Sequence, residues 1–492
     1  MGTHREIKIP TQVPITGTFK VQALPAETAA KASEILQSNH DNYHIYIHDL
    51  GLHNHILHHI LAIYALGGTS AQLDQAYKLA MDSQRPTRRP DPQRVSDFQD
   101  TAKFKQCLGQ GKYYDDYFAF FQNEIGENGV PNTVNKYLFS GGETAEDMLR
   151  RFFSGFLHSP IHLGYAIEFD QPLIMAEALA LTAVHDSYFG EVLTDIETAA
   201  RTSDGNDSLI NLQREIYSNS KFREAMKYDH GVFQIRDGLL AHAKDEFLQV
   251  VGSWKVTLED LQEKTAECLN STVYWTSLAQ RPEKQIRFDF FLMHSITAGS
   301  LWPVINSAPW ISAESKCRLL EWKGRADLIL YCQTGAPFPR HEELVAYLPQ
   351  VPSGWDEIFR RACEYKDDGH LAKLIRAVAT AAQLSNEYVH EADFVIKSDE
   401  EFLKIAHMSK PPEIHAFRLL FLTLNPVVID SAEQFNQESV EQEREMICAK
   451  YKHANWMSTE IQRVTARWPR HVGFEQAWFH VPARKSNGLA RL

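Results

Sequence analysis

The sequence has no long apolar run. None of its stretches reaches the roughly 20 residues that span a bilayer. The N-terminus, MGTHREIKIPTQVPITG, lacks the apolar core of a secretory leader, and after Gly2 it places Glu6 where myristoylation calls for Ser or Thr. Cysteine is sparse and scattered, at 107, 268, 317, 332, 363 and 448, with no C-x-x-C. That argues against a disulfide framework and a thiolate zinc site, and fits a reducing, cytoplasmic setting. Basic excess is missing too: Lys and Arg total 50 against 63 Asp and Glu, a net charge of −13. No nucleic-acid face and no membrane partner are expected. Familiar catalytic loops are also absent. The nearest approach to G-x-G-x-x-G is CLGQGKYY at 107–114, with two glycines and no preceding strand. There is no Walker loop, no G-x-S-x-G and no H-E-x-x-H.

What is present is helix. A chain of 492 residues, 44% hydrophobic and 23% charged, is an ordinary globular composition with a large core to bury. Apolar residues recur at helical spacing in PAETAAKASEILQSNHDNY, SAQLDQAYKLAMDSQ, TAEDMLRRFFSGFLH, PLIMAEALALTAVHDSYFGEVLTDIETAAR and HLAKLIRAVATAAQL. Ser70 reads as a start signal, as does Thr144 with Asp147 three residues on. Strand character is limited to residues 6–22, where FKVQ either pairs briefly or wraps the surface. The proline-rich breaks at 83–94 and 334–354 read as loops between helices. The expectation is an all-α fold, one large helical domain over 1–492 with an extended arm at 1–25 and room for two lobes meeting near residue 250. The closing Ala490-Arg491-Leu492 follows the small–basic–Leu pattern of a peroxisomal address.

The histidines are the unusual feature. Seven of 22 fall between His40 and His59: His40, His44, His48, His53, His55, His58 and His59. In HNHILHHILAIYALGG read as a helix, His55 and His59 share one face. In GFLHSPIHLGYAIEFDQP, His158 and His162 are again four apart, but Pro160 places His158 just before a helix. His294 sits in the apolar run FDFFLMHSITAGSLWP, where a ring needs a hydrogen bond or a metal. In DDGHLAKLIRA, His370 opens a helix and Lys373 follows one turn later; spacing alone has that lysine reach water along its own stem.

These four motifs, in this order, resemble the questin oxidase family, over roughly residues 40 to 430. That family opens anthraquinone rings in fungal polyketide pathways. It includes NADPH-dependent Baeyer–Villiger oxidases and a non-haem iron dioxygenase type with four histidines and a carboxylated lysine. The resemblance implies His55, His158, His294, His370 and Lys373 as metal and catalytic residues, in a site within the helical core. It leaves His58, His59 and His162, with Tyr165 and Trp302, as substrate-facing, and the other N-terminal histidines at the surface. Phe169, Phe291 and Tyr64 are further pocket candidates, though their helical spacing, like that of Tyr165 and Trp302, also fits plain core.

The implied chemistry is Fe(II) with O2 as co-substrate, cleaving a C–C bond of a hydroxyanthraquinone or its hydroquinone. NADPH, or a quinone reductase partner, would reduce the quinone first. Four neutral imidazoles leave a buried +2 ion uncompensated. A carbamylated Lys373 would supply the missing anion. Two other readings stand beside this one: an NADPH-dependent Baeyer–Villiger monooxygenase on the same substrates, and a non-catalytic helical protein that binds aromatic polyketides.

Overall fold

The computed structural model describes residues 2–47, 52–202, 205–409, 468–479 and 481–484, and the described part is all-α. No strand occurs among the described residues; the β-type contacts are isolated bridges such as Tyr46 with His53. Residues 2–25 carry neither helix nor strand. They wrap the surface, with Ile7 and Ile9 buried and the Val21 N–H donating to the Ala65 carbonyl at 2.9 Å.

The helices that position the site are α1 (Ala26–Asn42), α2 (Ile56–Ala65), α3 (Tyr114–Val134), α4 (Ser154–Glu168), α5 (Pro172–Val184), α6 (Leu261–Leu278), α7 (Phe290–Gly299), α8 (Ala313–Gln333) and α9 (His370–Ser385). Every residue of α2 is buried, and so is all of α7 after Phe290. Helices apolar on all sides belong inside a core. Accordingly α7 packs against α4, α6, α8 and α9, α2 against α1, α4 and α9, and α5 against α3 and α4. Asp289 caps α7, accepting the N–H groups of Phe291 (2.7 Å) and Leu292 (3.2 Å). Its other oxygen accepts the Val472 N–H at 3.1 Å, which ties the 468–472 segment to the start of α7. Buried apolar residues on both sides of residue 250 fall in one cluster running from Ile7 to Trp468.

Local signals were displaced in several places. The helix expected to start at Ser70 is capped one residue earlier. The Gln72 N–H donates to Thr69 Oγ1 at 3.3 Å and the Thr69 N–H to Gln72 Oε1 at 2.8 Å, a reciprocal capping box. Thr144 caps nothing, because its helix begins at Glu143 behind Gly142. The stretch from Pro172 to Arg201 is two helices, broken at His185–Ser187: Arg151 Nη1 binds the His185 carbonyl (2.7 Å) and Asp186 accepts the Tyr188 N–H (3.0 Å). Short helices Pro92–Asp97 and His341–Ala346 interrupt the two proline-rich loops. No helix among the described residues is long and apolar enough to cross a membrane. The Ala490-Arg491-Leu492 tripeptide, His48 and Cys448 lie outside the described residues; the other five cysteines are free thiols.

Candidate metal centre

Most of the site comes from element ends. His55 is the N-cap of α2, with φ −96° and ψ 0°. His370 is the first residue of α9, after Gly369 at φ 92°. A β-carbon on Gly369 would lie 2.5 Å from His59 Cβ, so both its left-handed backbone and its neighbour demand glycine. His158 follows Gly155, Phe156 and Leu157, at φ 58°, 53° and 64°, before α4 becomes regular with Pro160 in its opening turn. Positive φ at two non-glycine residues costs on the order of 1 kcal/mol or more each, and such strain concentrates at functional sites. His294 is the exception, placed within α7 itself.

Four imidazoles converge. His55 Nε2 lies 2.9 Å from His158 Nε2. Donor atoms of His55, His158 and His294 all fall within 4.8 Å of one another, as do those of His55, Asp368 and His370. The His294 and His370 rings are 5.3 Å apart. The remaining nitrogens fix the tautomers. His158 Nδ1 donates to the Gly155 carbonyl and His294 Nδ1 to the Phe290 carbonyl, both at 2.6 Å. Asp368 accepts from His370 Nδ1 at 2.5 Å and from His55 Nδ1 at 3.3 Å. Carbonyl and carboxylate oxygens only accept, so each Nδ1 carries a hydrogen, and in the neutral ring each Nε2 turns a lone pair inward. The Nε2 atoms of His294 and His370 are buried with no hydrogen-bond partner among the described residues. Facing lone pairs repel unless a cation lies between them, so the donor set fits a metal ion. Imidazole nitrogen suits iron and zinc alike.

Electrostatics favour neutral ligands. Burial above all, then neighbouring imidazoles and Lys373, drives His158 and His294 well below the usual imidazole range and His55 to about 3. Burial pushes Asp368 up, but His370 and His55 together hold it well below the usual carboxylate range. Lys373 does not reach water, contrary to what spacing alone predicts. It is 3% exposed, and its Nζ is buried without a partner among the described residues. Burial lowers this amine to about 8, against the opposing pull of Asp368 and Asp367.

The other sequence candidates divide. His58 lies beside the cluster, its ring 6.0 Å from His158 and 5.6 Å from Tyr165. His162 packs edge-on to His58 at 5.2 Å. His59 packs its Cβ and Cγ against Gly369, and its Nε2 is buried without a hydrogen-bond partner among the described residues. Phe291 stacks on Phe156 at 4.8 Å. Phe169 and Tyr64 pair with each other at 6.0 Å, behind Tyr165. Trp302 lies under the Lys323 ammonium (5.6 Å) and near Phe153, with no histidine among its ring contacts in the described residues.

The expectation that the remaining N-terminal histidines lie at the surface fails: His44 and His53 are buried. His53 stacks on His158 with centroids 3.8 Å apart, and its Nε2 is 2.8 Å from His185 Nε2. Sequence pattern alone does not distinguish Asp368, which orients two of the four rings and stands two residues before His370. Trp468, 6.4 Å from His370, had no sequence signal at all.

The four histidines, Asp368 and Lys373 lie within a stretch shared with known proteins. Residues 52–378 match the model of the family described as Questin oxidase-like. Oxidoreductase AflY of Aspergillus parasiticus is 34% identical over 473 residues, which cover 95% of this chain and 91% of that protein. Questin oxidase of Aspergillus terreus is 36% identical over 377 residues, 76% of this chain and 84% of its own. Baeyer–Villiger oxidase ptaJ of Pestalotiopsis fici is 35% identical over 401 residues, 80% and 90% of the two chains. The chain belongs to the questin oxidase-like family.

Proposed function

We propose that this protein is a non-haem iron oxygenase that cleaves a C–C bond of a hydroxyanthraquinone or its hydroquinone in fungal polyketide metabolism. The observation that carries the reading is the convergence of four Nδ1-anchored imidazoles beside the buried Lys373 amine, which has no hydrogen-bond partner among the described residues. The names of the relatives, questin oxidase and Baeyer–Villiger oxidase, support an oxidative reaction on an aromatic polyketide.

His55, His158, His294 and His370 would hold the ion through Nε2. Asp368 and the two backbone carbonyls keep those rings turned inward. The Lys373 amine, lowered to about 8 by burial, is partly neutral near pH 7. In that form it adds CO2 and releases a proton, becoming a carbamate whose oxygen would be the anionic ligand. Iron, when bound, supplies the redox activation of O2. Tyr165 and His58, stacked on each other beside the cluster, are where a planar substrate would pack, and the surrounding apolar helices keep water out.

The names of the Baeyer–Villiger relatives favour a second reading, a monooxygenase that consumes NADPH and inserts one oxygen atom. The two separate in one experiment. Chemically reduced anthrahydroquinone is supplied with 18O2 and no NADPH, using enzyme whose iron content has been measured. Two labelled atoms in the ring-opened product are expected. One labelled atom, or no turnover until NADPH is added, selects the monooxygenase.

A further inference from the structure

His162 is not spent on the cluster. Its Nε2 lies 3.0 Å from Oε2 of Glu177, and Oε1 of the same carboxylate lies 2.7 Å from His40 Nδ1. Glu177 sits in the middle of α5, where every residue from Leu173 onward is buried. A buried carboxylate is costly unless it is paired. Here one carboxylate stands between two imidazoles.

The two ends of this triad differ. Inward, His162 Nδ1 is buried and has no hydrogen-bond partner among the described residues, and both ring nitrogens of the adjacent His58 are likewise buried and unpaired there. Tyr165 stacks on the same His58 ring. Outward, the His40 side chain is 13% exposed, with Phe118 packed edge-on at 4.8 Å. The triad therefore runs from His40 at the edge of the molecule to the buried polar atoms of His162 and His58 beside Tyr165.

We propose that His162, Glu177 and His40 exchange protons between the site and solvent, with His162 Nδ1 the general base that accepts a hydroxyl proton from a bound phenolic substrate. The phenolic identity of that substrate rests on the function proposed above. The physical reason for the triad is charge. One buried carboxylate neutralises one imidazolium, so the positive charge sits on His40 or on His162. Glu177 is held down at about 2, because hydrogen bonds from His162 and His40 outweigh the burial that pushes it up. Burial lowers His40, but the hydrogen bond to Glu177 and the charges of Glu177 and Asp41 together outweigh this and leave it raised. In the arrangement with the charge on His40, His162 donates its Nε2–H to Glu177 and presents the Nδ1 lone pair inward. When substrate arrives, the phenol O–H bond breaks and its electron pair stays on oxygen. The proton goes to His162 Nδ1, and His40 releases its own proton from Nε2 to solvent. One proton enters the triad and one leaves, and its net charge stays at zero. The other titratable groups facing the triad are Asp41 beside His40, Tyr114 on α3, and His58 and His53.

The test uses full-length protein labelled with 15N-histidine, its ring signals assigned by their loss in His40→Gln and His162→Gln. In Glu177→Gln, both sets of ring signals are expected to shift together, and His40 proton affinity to fall about tenfold or more. In turnover with hydroxyanthraquinone or its reduced form, Glu177→Gln is expected to lower kcat by about 10- to 100-fold. KM and metal content stay unchanged, and Glu177→Asp restores part of the rate. If Glu177→Gln does not fold, His40→Gln at the molecule's edge carries the same kinetic test. An unchanged His40 titration, or a kcat within twofold of wild type, overturns the proposal. Failure of the wild type to turn over any such substrate counts against the proposed function instead, and the NMR comparison still decides whether the triad shares one charge.

Discussion

His55 and His158 face each other Nε2 to Nε2 at 2.9 Å, while the Nδ1 atoms of both are committed elsewhere, to Asp368 and to the Gly155 carbonyl. Neither ring can donate to the other without giving up its anchor or taking on a charge that burial opposes. A cation between them removes the repulsion. Metal should therefore stabilise the fold as well as serve chemistry. Chelator-stripped protein is expected to melt lower and to recover when Fe(II) or Zn(II) is restored, by about 2.7 kcal/mol at a hundredfold excess over Kd. Identical melting curves with and without metal would remove the cation from this account.

Asp368 orients His55 and His370 at once. Asp368→Ala is expected to weaken metal binding by about 10- to 100-fold, read by competition against a chelator. Asp368→Asn should lie between that variant and wild type, since an amide oxygen still accepts one of the two N–H groups. Unchanged affinity in the alanine variant would mean that packing alone sets the two rings.

For Lys373, the carbamate reading predicts a graded series. Lys373→Ala loses metal and activity, and Lys373→Glu recovers part of the metal binding by supplying a carboxylate on a shorter stem. Intact-mass measurement under gentle conditions should show one added CO2 in the wild type and none in either variant. A plain amine in metal-loaded protein would end this part of the proposal.

Lys323 and Asp327, one turn apart on α8, form an ion pair with both side chains at 0% exposure, and Cys268 Sγ donates to the same carboxylate at 3.2 Å. Lys323→Met strands a buried carboxylate and is expected to cost about 3–5 kcal/mol. The double variant Lys323→Met/Asp327→Leu should recover most of that loss in urea unfolding. A single-variant cost below about 1 kcal/mol would show that the charge escapes to water.

The pH dependence of stability has two flanks from one triad. Glu177 is depressed from its ordinary 4.5 to about 2, so its contribution is present above 4.5 and fades as pH falls from there toward 2. His40 is raised above its ordinary 6.5, so its contribution is present below 6.5 and is lost as pH climbs through the raised value. Glu177→Gln should flatten both flanks in pH-resolved thermal melts. A variant profile parallel to wild type would show that the three side chains are not coupled.

The sequence by itself determined the all-α class, because apolar residues at helical spacing have few other ways to be buried. The order of its four histidine motifs also pointed to the family. Spacing misled where it implied shared faces. His55 and His59 are four apart, yet His55 is a cap with non-helical dihedrals, so it turns into the cluster while His59 packs on Gly369. His158 and His162 separate for a similar reason: a left-handed turn aims the first at His55, and the regular helix aims the second at Glu177.

Only the tertiary structure decided which acids matter. Asp368 and Glu177 look like any other carboxylates in a helical sequence. Packing of α9 against α2 sets Asp368 behind two rings, and packing of α5 against α4 slides Glu177 between His162 and His40. The same packing denies Lys373 the route to water that its spacing allowed, because α7 and α2 close over that face of α9. Periodicity reports which face of a helix is apolar. It says nothing of what the neighbouring helix brings to that face, and a site assembled from helix ends is set by those neighbours.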